Sequence, residues 1–295
     1  MSLKPAPTNI AELSGTTNPK NPLGGSLIRL LKAVPGVIEY ELSRSYKPAR
    51  IAMFLMMILI PTALLISVAY QVPEQLKNDQ QTNLVFSMLL YALVPQILTM
   101  LAMLVLASPI VHTEIEGQSW IYSLVRYQGR RALLLGRYFV AVLWTSCAGV
   151  VVTSICVPFL PLNQPLQTWG TISLLCILAS LAYGSLFALI GVLFQKRVMV
   201  ISFLYALVVE GVLAWLPAVI NQLTIAYRLR SILFRWVGLD GDRLFQSNEL
   251  VQNGMVAADP TGWVQIVWVL AISAGLLAIA LWLVETIQYS FQSEL

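Results

Sequence analysis

The residues able to do chemistry are few and far apart. The single histidine, His112, stands at the end of an apolar run, so a multi-histidine metal site is excluded and His112 reads as an interface residue. The three cysteines, Cys147, Cys156 and Cys176, all fall inside apolar runs. An odd, lipid-embedded set is no disulfide framework, and small apolar packing residues explain it. No G-x-S-x-G, H-E-x-x-H or P-loop occurs. A membrane protease or lipid-modifying enzyme needs a convergent polar cluster within the apolar runs, and none stands out.

Two features remain. Glu210, in the run VVEGVLAWLP, is an acidic group midway through an apolar segment. On insertion scales such a group costs about 2.5–3.5 kcal/mol, so it should face protein or water. It either lines a translocation route or locks one conformation, or it is a protonated or paired carboxylate holding helices together. The second feature is a charged island, His112 to Arg137, between two long apolar runs. Thr113 suits an N-cap, Glu114 and Glu116 complement the positive end of a short helix, and Arg126, Arg130 and Arg131 complement the other end. Trp120, Ile121, Leu124 and Val125 supply an apolar ridge. A short cytosolic helix with such a ridge fits a groove on a soluble partner; a solvated loop with an interfacial helix also fits.

The elements that must position these residues follow from composition. The 295 residues are 58% hydrophobic and 11% charged, with a mean hydropathy of +0.75. Soluble domains carry about 25% charged residues, so lipid is the expected solvent for most of this surface. The spread of basic residues over span ends and the N-terminal part implies no nucleic acid. A spanning helix needs about 20 largely apolar residues. Six segments qualify: Ile51–Tyr70, Leu84–Ser108, Leu133–Pro158, Trp169–Phe194, Val198–Leu216 and Trp263–Tyr289. The expected fold is an all-α polytopic membrane domain over 51–295. Small residues at Ser180, Gly184 and Ala188, and at Ala271 and Gly275, suit close helix packing.

Orientation follows from the Lys and Arg count. With the N-terminus inside, 13 of the 18 basic residues fall on the cytoplasmic side and 5 outside. Both termini are therefore expected in the cytoplasm. Residues 1–25, rich in Pro, Asn, Thr and Gly, are expected to be a disordered tail with no cleavable signal legible. Residues 26–50 are expected to form an amphipathic elbow helix broken near Pro35-Gly36, a mechanical element or a plain juxtamembrane anchor. The outer connection, 217–262, holds the amphipathic stretch Ile225–Val237. Arg228, Ser231 and Arg235 fall on one face and Ile225, Leu229, Ile232 and Trp236 on another. An interfacial helix and a shallow re-entrant piece both satisfy that pattern. Glu285 belongs at the inner interface.

The island resembles the second cytoplasmic element of ABC-2 type transporter permeases, especially those whose ATPase is a separate chain. That element carries an acidic pair, a Gln-Thr-like step, a Tyr-x-Leu-hydrophobic-Arg stretch and a basic turn into span three. The corresponding residues here are Glu114, Glu116, Gln118-Ser119, Tyr122, Leu124, Arg126, Arg130-Arg131 and Gly136-Arg137. The six-span plan, the basic elbow and Glu210-Gly211-Val212-Leu213 before a long outer segment extend the likeness from about Ser26. Many relatives have an Arg-Pro-x-Pro-like turn where this chain has Arg126-Tyr127-Gln128-Gly129.

The resemblance implies a permease homodimer with two copies of an ABC-type ATPase, in a bacterial inner membrane, exporting a hydrophobic, amphiphilic or bulky substrate. An ATPase-coupling element at 112–131 would use Glu114, Glu116, Gln118, Trp120, Ile121, Tyr122, Leu124, Arg126, Arg130 and Arg131. The chain itself would bind no cofactor; ATP and Mg would be used by the partner. Two other readings stand beside it: a motor-free secondary transporter or channel, for which several intramembrane charges or broken helices are expected, and a non-transporting scaffold that anchors an ATPase.

Charge asymmetry makes a direct forecast. A cysteine replacing Arg243 should react with an impermeant maleimide added outside intact cells. Labelling only after permeabilisation would overturn the outer placement of that connection.

Overall fold

The computed structural model describes residues 34–43, 48–71, 73, 80–110, 129–194, 197–215, 224–237 and 262–286. Among them every regular element is helical. Helix α1 covers 34–43 and α2 covers Pro48–Gln71. Helix α3 joins Gln80–Tyr91, a wide-turn π stretch Ala92–Leu98, and Thr99–Ala107. Helix α4 covers Gly129–Cys156, closing in a 3-10 turn at Val157–Phe159, and α5 covers Pro165–Leu193. Helix α6 begins as Val198–Tyr205, widens to a π stretch at Ala206–Val212, and tightens at Leu213–Trp215. Helices α7, Ile225–Trp236, and α8, Gly262–Thr286, complete the set.

Five helices are long and apolar enough to cross a bilayer: Ile51–Gln71, Thr82–Ala107, Gly129–Phe159, Pro165–Leu193 and Gly262–Thr286. Their number and composition are those of a multi-pass membrane protein. The expected fifth span is the exception. Its apolar helix, Val198–Val212, is shorter than the others and widened by the π stretch.

Helix α5 is the central post. It packs against α3, α4, α7 and α8, and Ile172, Leu175, Cys176, Ala179, Ala182, Tyr183 and Phe187 are fully buried. Small residues allow the close approaches, because dispersion contact grows as backbones near each other. Ser146 and Ser180 hydroxyls meet at 2.7 Å, and Gly149 lies under the Cys176 side chain. Ser180, Gly184 and Ala188 are all buried, so that ladder packs within the chain. Ala271 and Gly275 on α8 are exposed instead.

The helices share two ends. At the lower end α1 meets the start of α4, where Gly136 admits Val37, and the close of α5 meets the close of α3, where Gly191 abuts the Ser108 carbonyl. The end of α8 also arrives there, because Arg131 pairs with Glu285 at 2.5 Å. At the upper end the Asn163 backbone N–H donates to Asn83 Oδ1 at 3.2 Å, and Gln167 Nε2 donates to the Trp236 carbonyl. Helices α1 and α8 thus lie with their outer-sequence ends on the same side of the bundle.

Of the expected elbow, 34–43 is helical and 26–33 lies outside the described residues, as does the 1–25 tail. Glu41 is buried and accepts from Arg137 Nε at 3.0 Å, so this helix is bound to α4 through an ion pair.

The Gly191 contact is directly testable. A Cβ at 191 would collide with backbone, whereas one at Gly275 would meet open space. Gly191→Val should destabilise the detergent-solubilised chain by about 1–3 kcal/mol, the usual cost of overpacking. Gly275→Val should stay within about 0.5 kcal/mol of the parent. Equal melting temperatures for the two variants would refute the close approach.

Candidate functional site

The described residues hold one deep polar cluster, and Glu210 is at its centre. Counting 12 residues up from Val198 at about 1.5 Å each places Glu210 roughly 18 Å from the lower end of α6. It is fully buried. Its Oε1 accepts from the Ile225 backbone N–H at 3.0 Å, and its Oε2 accepts from the Ala226 N–H at 3.0 Å and the Tyr183 hydroxyl at 3.1 Å.

The carboxylate therefore caps α7 from another helix. A helix begins with N–H groups that have no intrahelical partner and carries roughly half a positive charge there. Glu210 takes the first two donors of α7, and Thr224 Oγ1 takes the third, from Tyr227, at 3.3 Å. The Tyr91 hydroxyl donates to the Ala226 carbonyl at 2.8 Å. The first turn of α7 is thus clamped by side chains from α3 and α6, together with its own N-cap.

A second clasp lies one turn above. Arg230 is buried, and its Nη2 donates to the Ala214 carbonyl at 3.0 Å, near the carbonyl end of α6. A guanidinium suits that end, where carbonyls lack helical partners. With Glu210 beside Ile225 and Ala214 beside Arg230, α6 and α7 run in the same direction over this overlap. Helix α7 then climbs to the upper end, where Trp236 packs edge-on to Trp263 with ring centroids 5.1 Å apart. On the way Arg228 Nη1 donates to Gln265 Oε1 at 2.8 Å and its guanidinium sits 5.3 Å from the Trp268 ring centre.

Helix α7 is buried around its circumference, with Ile225, Ala226, Tyr227, Leu229, Arg230, Ser231, Ile232, Leu233 and Phe234 all enclosed. A helix lying in the interface would keep a wet face. Its first turn lies beside Glu210, and its buried N–H groups find side-chain acceptors there.

The two π stretches face each other at this level. Gln96 Nε2, in the stretch containing Pro95, donates to the Glu210 backbone carbonyl at 3.2 Å. Proline removes one helical donor, and a wide turn is a way to accommodate it. Tyr91, Gln96, Tyr183, Thr224 and Arg230 were not singled out from sequence. Pro95-Gln96 inside an apolar run was the available signal.

Of the island, Glu114, Glu116, Gln118, Trp120, Ile121, Tyr122, Leu124 and Arg126 lie outside the described residues, as does His112. Arg130 and Arg131 open α4 and are engaged inside the chain. Arg130 Nη1 donates to the Val284 carbonyl at 3.3 Å, and Arg131 pairs with Glu285. Arg137 donates to Glu41 and, through Nη1, to the Ile110 carbonyl at 3.0 Å. The start of α4 is thereby tied to α1, α3 and α8. Among the described residues no group of three or more His, Cys, Asp or Glu side chains is placed to hold a metal ion.

No protein family, no curated protein and no solved structure matches this chain.

The cap predicts a graded response. In Glu210→Gln one amide oxygen still accepts, while the amide NH₂ opposes a backbone N–H, at a cost of about 1–3 kcal/mol. Glu210→Ala, which strands both N–H groups and the Tyr183 hydroxyl, should cost more. Tyr183→Phe should be the mildest. Thermal unfolding of the three variants gives the order, and a Glu210→Ala protein as stable as the parent would show that the cap holds nothing.

Proposed function

We propose that this chain is the permease subunit of an ATP-driven transporter of the ABC-2 type. It pairs with a second copy of itself and docks two copies of a separate ATPase through the 112–131 helix. It moves a bulky, hydrophobic or amphiphilic substrate outward across a bacterial inner membrane. In this reading the domain makes six crossings, the fifth built by α6 with α7 completing it, and both termini are cytoplasmic. ATP and Mg belong to the partner, and the chain itself supplies no catalytic group.

The observation that carries the reading is the triple tie at the start of α4. The segment resembling a docking element leads directly into Arg130, Arg131 and Arg137, which grip α8, α1 and α3. A force applied to 112–131 would be delivered to three other helices at once rather than lost in one. Arg137, which holds both Glu41 and the Ile110 carbonyl, is the firmest of these ties, because breaking its contacts strands charge in a poorly solvated site.

The motor-free alternative would need Glu210 as an ion-coupling group exposed to a route. Its two oxygens are occupied by three donors, which favours a latch between α6 and α7 over an ion site. A non-transporting scaffold would share the docking face, and substrate-stimulated ATP hydrolysis in the reconstituted complex separates it from a transporter.

The decisive variant joins Glu114→Arg with Glu116→Arg. Purified in mild detergent, the parent should bring a P-loop ATPase at near one-to-one ratio, and the double variant should lose it while its helical circular dichroism is unchanged. Undiminished co-purification would remove those glutamates from the docking role.

A further inference from the structure

A cavity of about 280 Å³ opens between α1, α2, α3 and α4. Its lower end is polar, formed by Glu41 and Arg137, and its wall is apolar, with Phe54, Met57, Ile110 and Ala141 among its residues. Thr145 also lines it, eight residues above Arg137 on α4 and so about 12 Å higher. A separate groove of about 500 Å³ runs between α2 and α3, lined by side chains such as Met56, Ile60, Leu64 and Ile97. Cavity and groove share Met53, Met57 and Val105, so they adjoin along one path.

We propose that this path binds a single-chain amphiphile drawn from the bilayer, with its alkyl chain in the α2–α3 groove and an uncharged hydrogen-bonding head in the cavity beside Thr145. The proposal needs only that the helices are embedded in lipid, and it stands or falls apart from the ATPase partnership.

Four observations select that ligand. The first is length. From Met53 to Leu64 the groove runs about 16 Å along α2, close to one leaflet of a hydrocarbon core about 30 Å thick. The second is polarity: the groove walls are wholly apolar side chains, and only the lower cavity offers polar atoms. Water needs two to four polar partners and would find none in the groove.

The third concerns charge. Glu41 and Arg137 neutralise each other at 3.0 Å, so among the described lining residues a charged head would meet a charge already matched. The fourth is the Thr145 hydroxyl, which is buried and has no hydrogen-bond partner. Threonines in helices commonly donate to the carbonyl four residues back, as Thr153 does to Gly149 at 2.7 Å and Thr62 to Ile58 at 2.6 Å. Ser87, Thr168, Ser173 and Ser202 also lack partners, but Thr145 is the one of these that borders the cavity. Methionines at the junction suit a flexible chain, because their unbranched thioethers adapt to it.

The test uses the full chain in phosphatidylcholine nanodiscs doped with a monoacylglycerol carrying a diazirine on its alkyl chain. Photolabel should concentrate on groove-facing residues of α2 and α3, and excess unlabelled monoacylglycerol should remove most of it. Thr145→Val should weaken that competition about fivefold, the worth of one neutral hydrogen bond. Ala141→Trp, which fills the cavity, should abolish specific labelling. Circular dichroism checks both variants, and Thr145→Val carries the test alone if Ala141→Trp does not fold. Label spread evenly over the exposed faces of α2 and α8, or indifferent to Thr145→Val, overturns the site. Photocrosslinking that instead places residues 1–33 or 111–128 of the same chain in the cavity also overturns it. Equal competition by lysophosphatidylglycerol overturns the uncharged head.

Discussion

One carboxylate governs the upper half of this molecule. An acidic side chain in an apolar interior is tolerated only if donors replace the water it has lost, and the start of a helix is a ready supply of them. Glu210 and α7 solve each other's problem. The helix gains acceptors for its first N–H groups, and the carboxylate gains two backbone donors and a phenol. Neither would be stable there alone. The same logic recurs a turn higher, where the Arg230 guanidinium satisfies a carbonyl near the end of α6.

The lower half depends on a different device. Three arginines within two turns of α4 distribute contacts to three neighbours, while glycines bring backbones close enough for dispersion to count. The upper end is closed by tryptophans and side-chain amides, the lower by ion pairs. Helix α5 runs between the two ends, the most enclosed of the long helices, with α2 the least. Among the described residues none covers the exposed faces of α2 and α8, which are open to lipid or to other chains.

Much of the plan was legible from residue order. Apolar length identified the five long helices within a few residues, because a bilayer imposes a length that little else in sequence imitates. The need to enclose Glu210 followed from its cost in lipid. The buried ladder of Ser180, Gly184 and Ala188 was visible as periodicity. What escaped notice was pairing. Nothing in the spacing of Tyr91, Tyr183 and Arg230 reveals that all three converge on the overlap of α6 and α7; the Tyr91–Ala226 bond alone spans 135 residues. Amphipathicity left the setting of Ile225–Val237 open, and it gave no sign that Arg228, on the polar face, meets the Gln265 amide oxygen. Glu285, expected at the inner interface, pairs with Arg131, a contact its position alone does not indicate. Pro95 and Gln96 carried the π stretch in plain view, and only the tertiary fold gave them meaning.

The separation between Glu210 and its two backbone donors is only 15 and 16 residues. That short span bears on biogenesis. A ribosome delivers α6 to the membrane with an acidic group that lipid resists, and the groups that satisfy it arrive within the next four or five turns' worth of chain. Helices α6 and α7 therefore suit insertion as a pair, with the carboxylate quenched locally and no wait for the last span. Tyr183, which donates to Glu210, and Tyr91, which donates to the Ala226 carbonyl, both precede α6 in the order of synthesis. In chain order the residues of the cluster end with α7, the helix that the carboxylate caps.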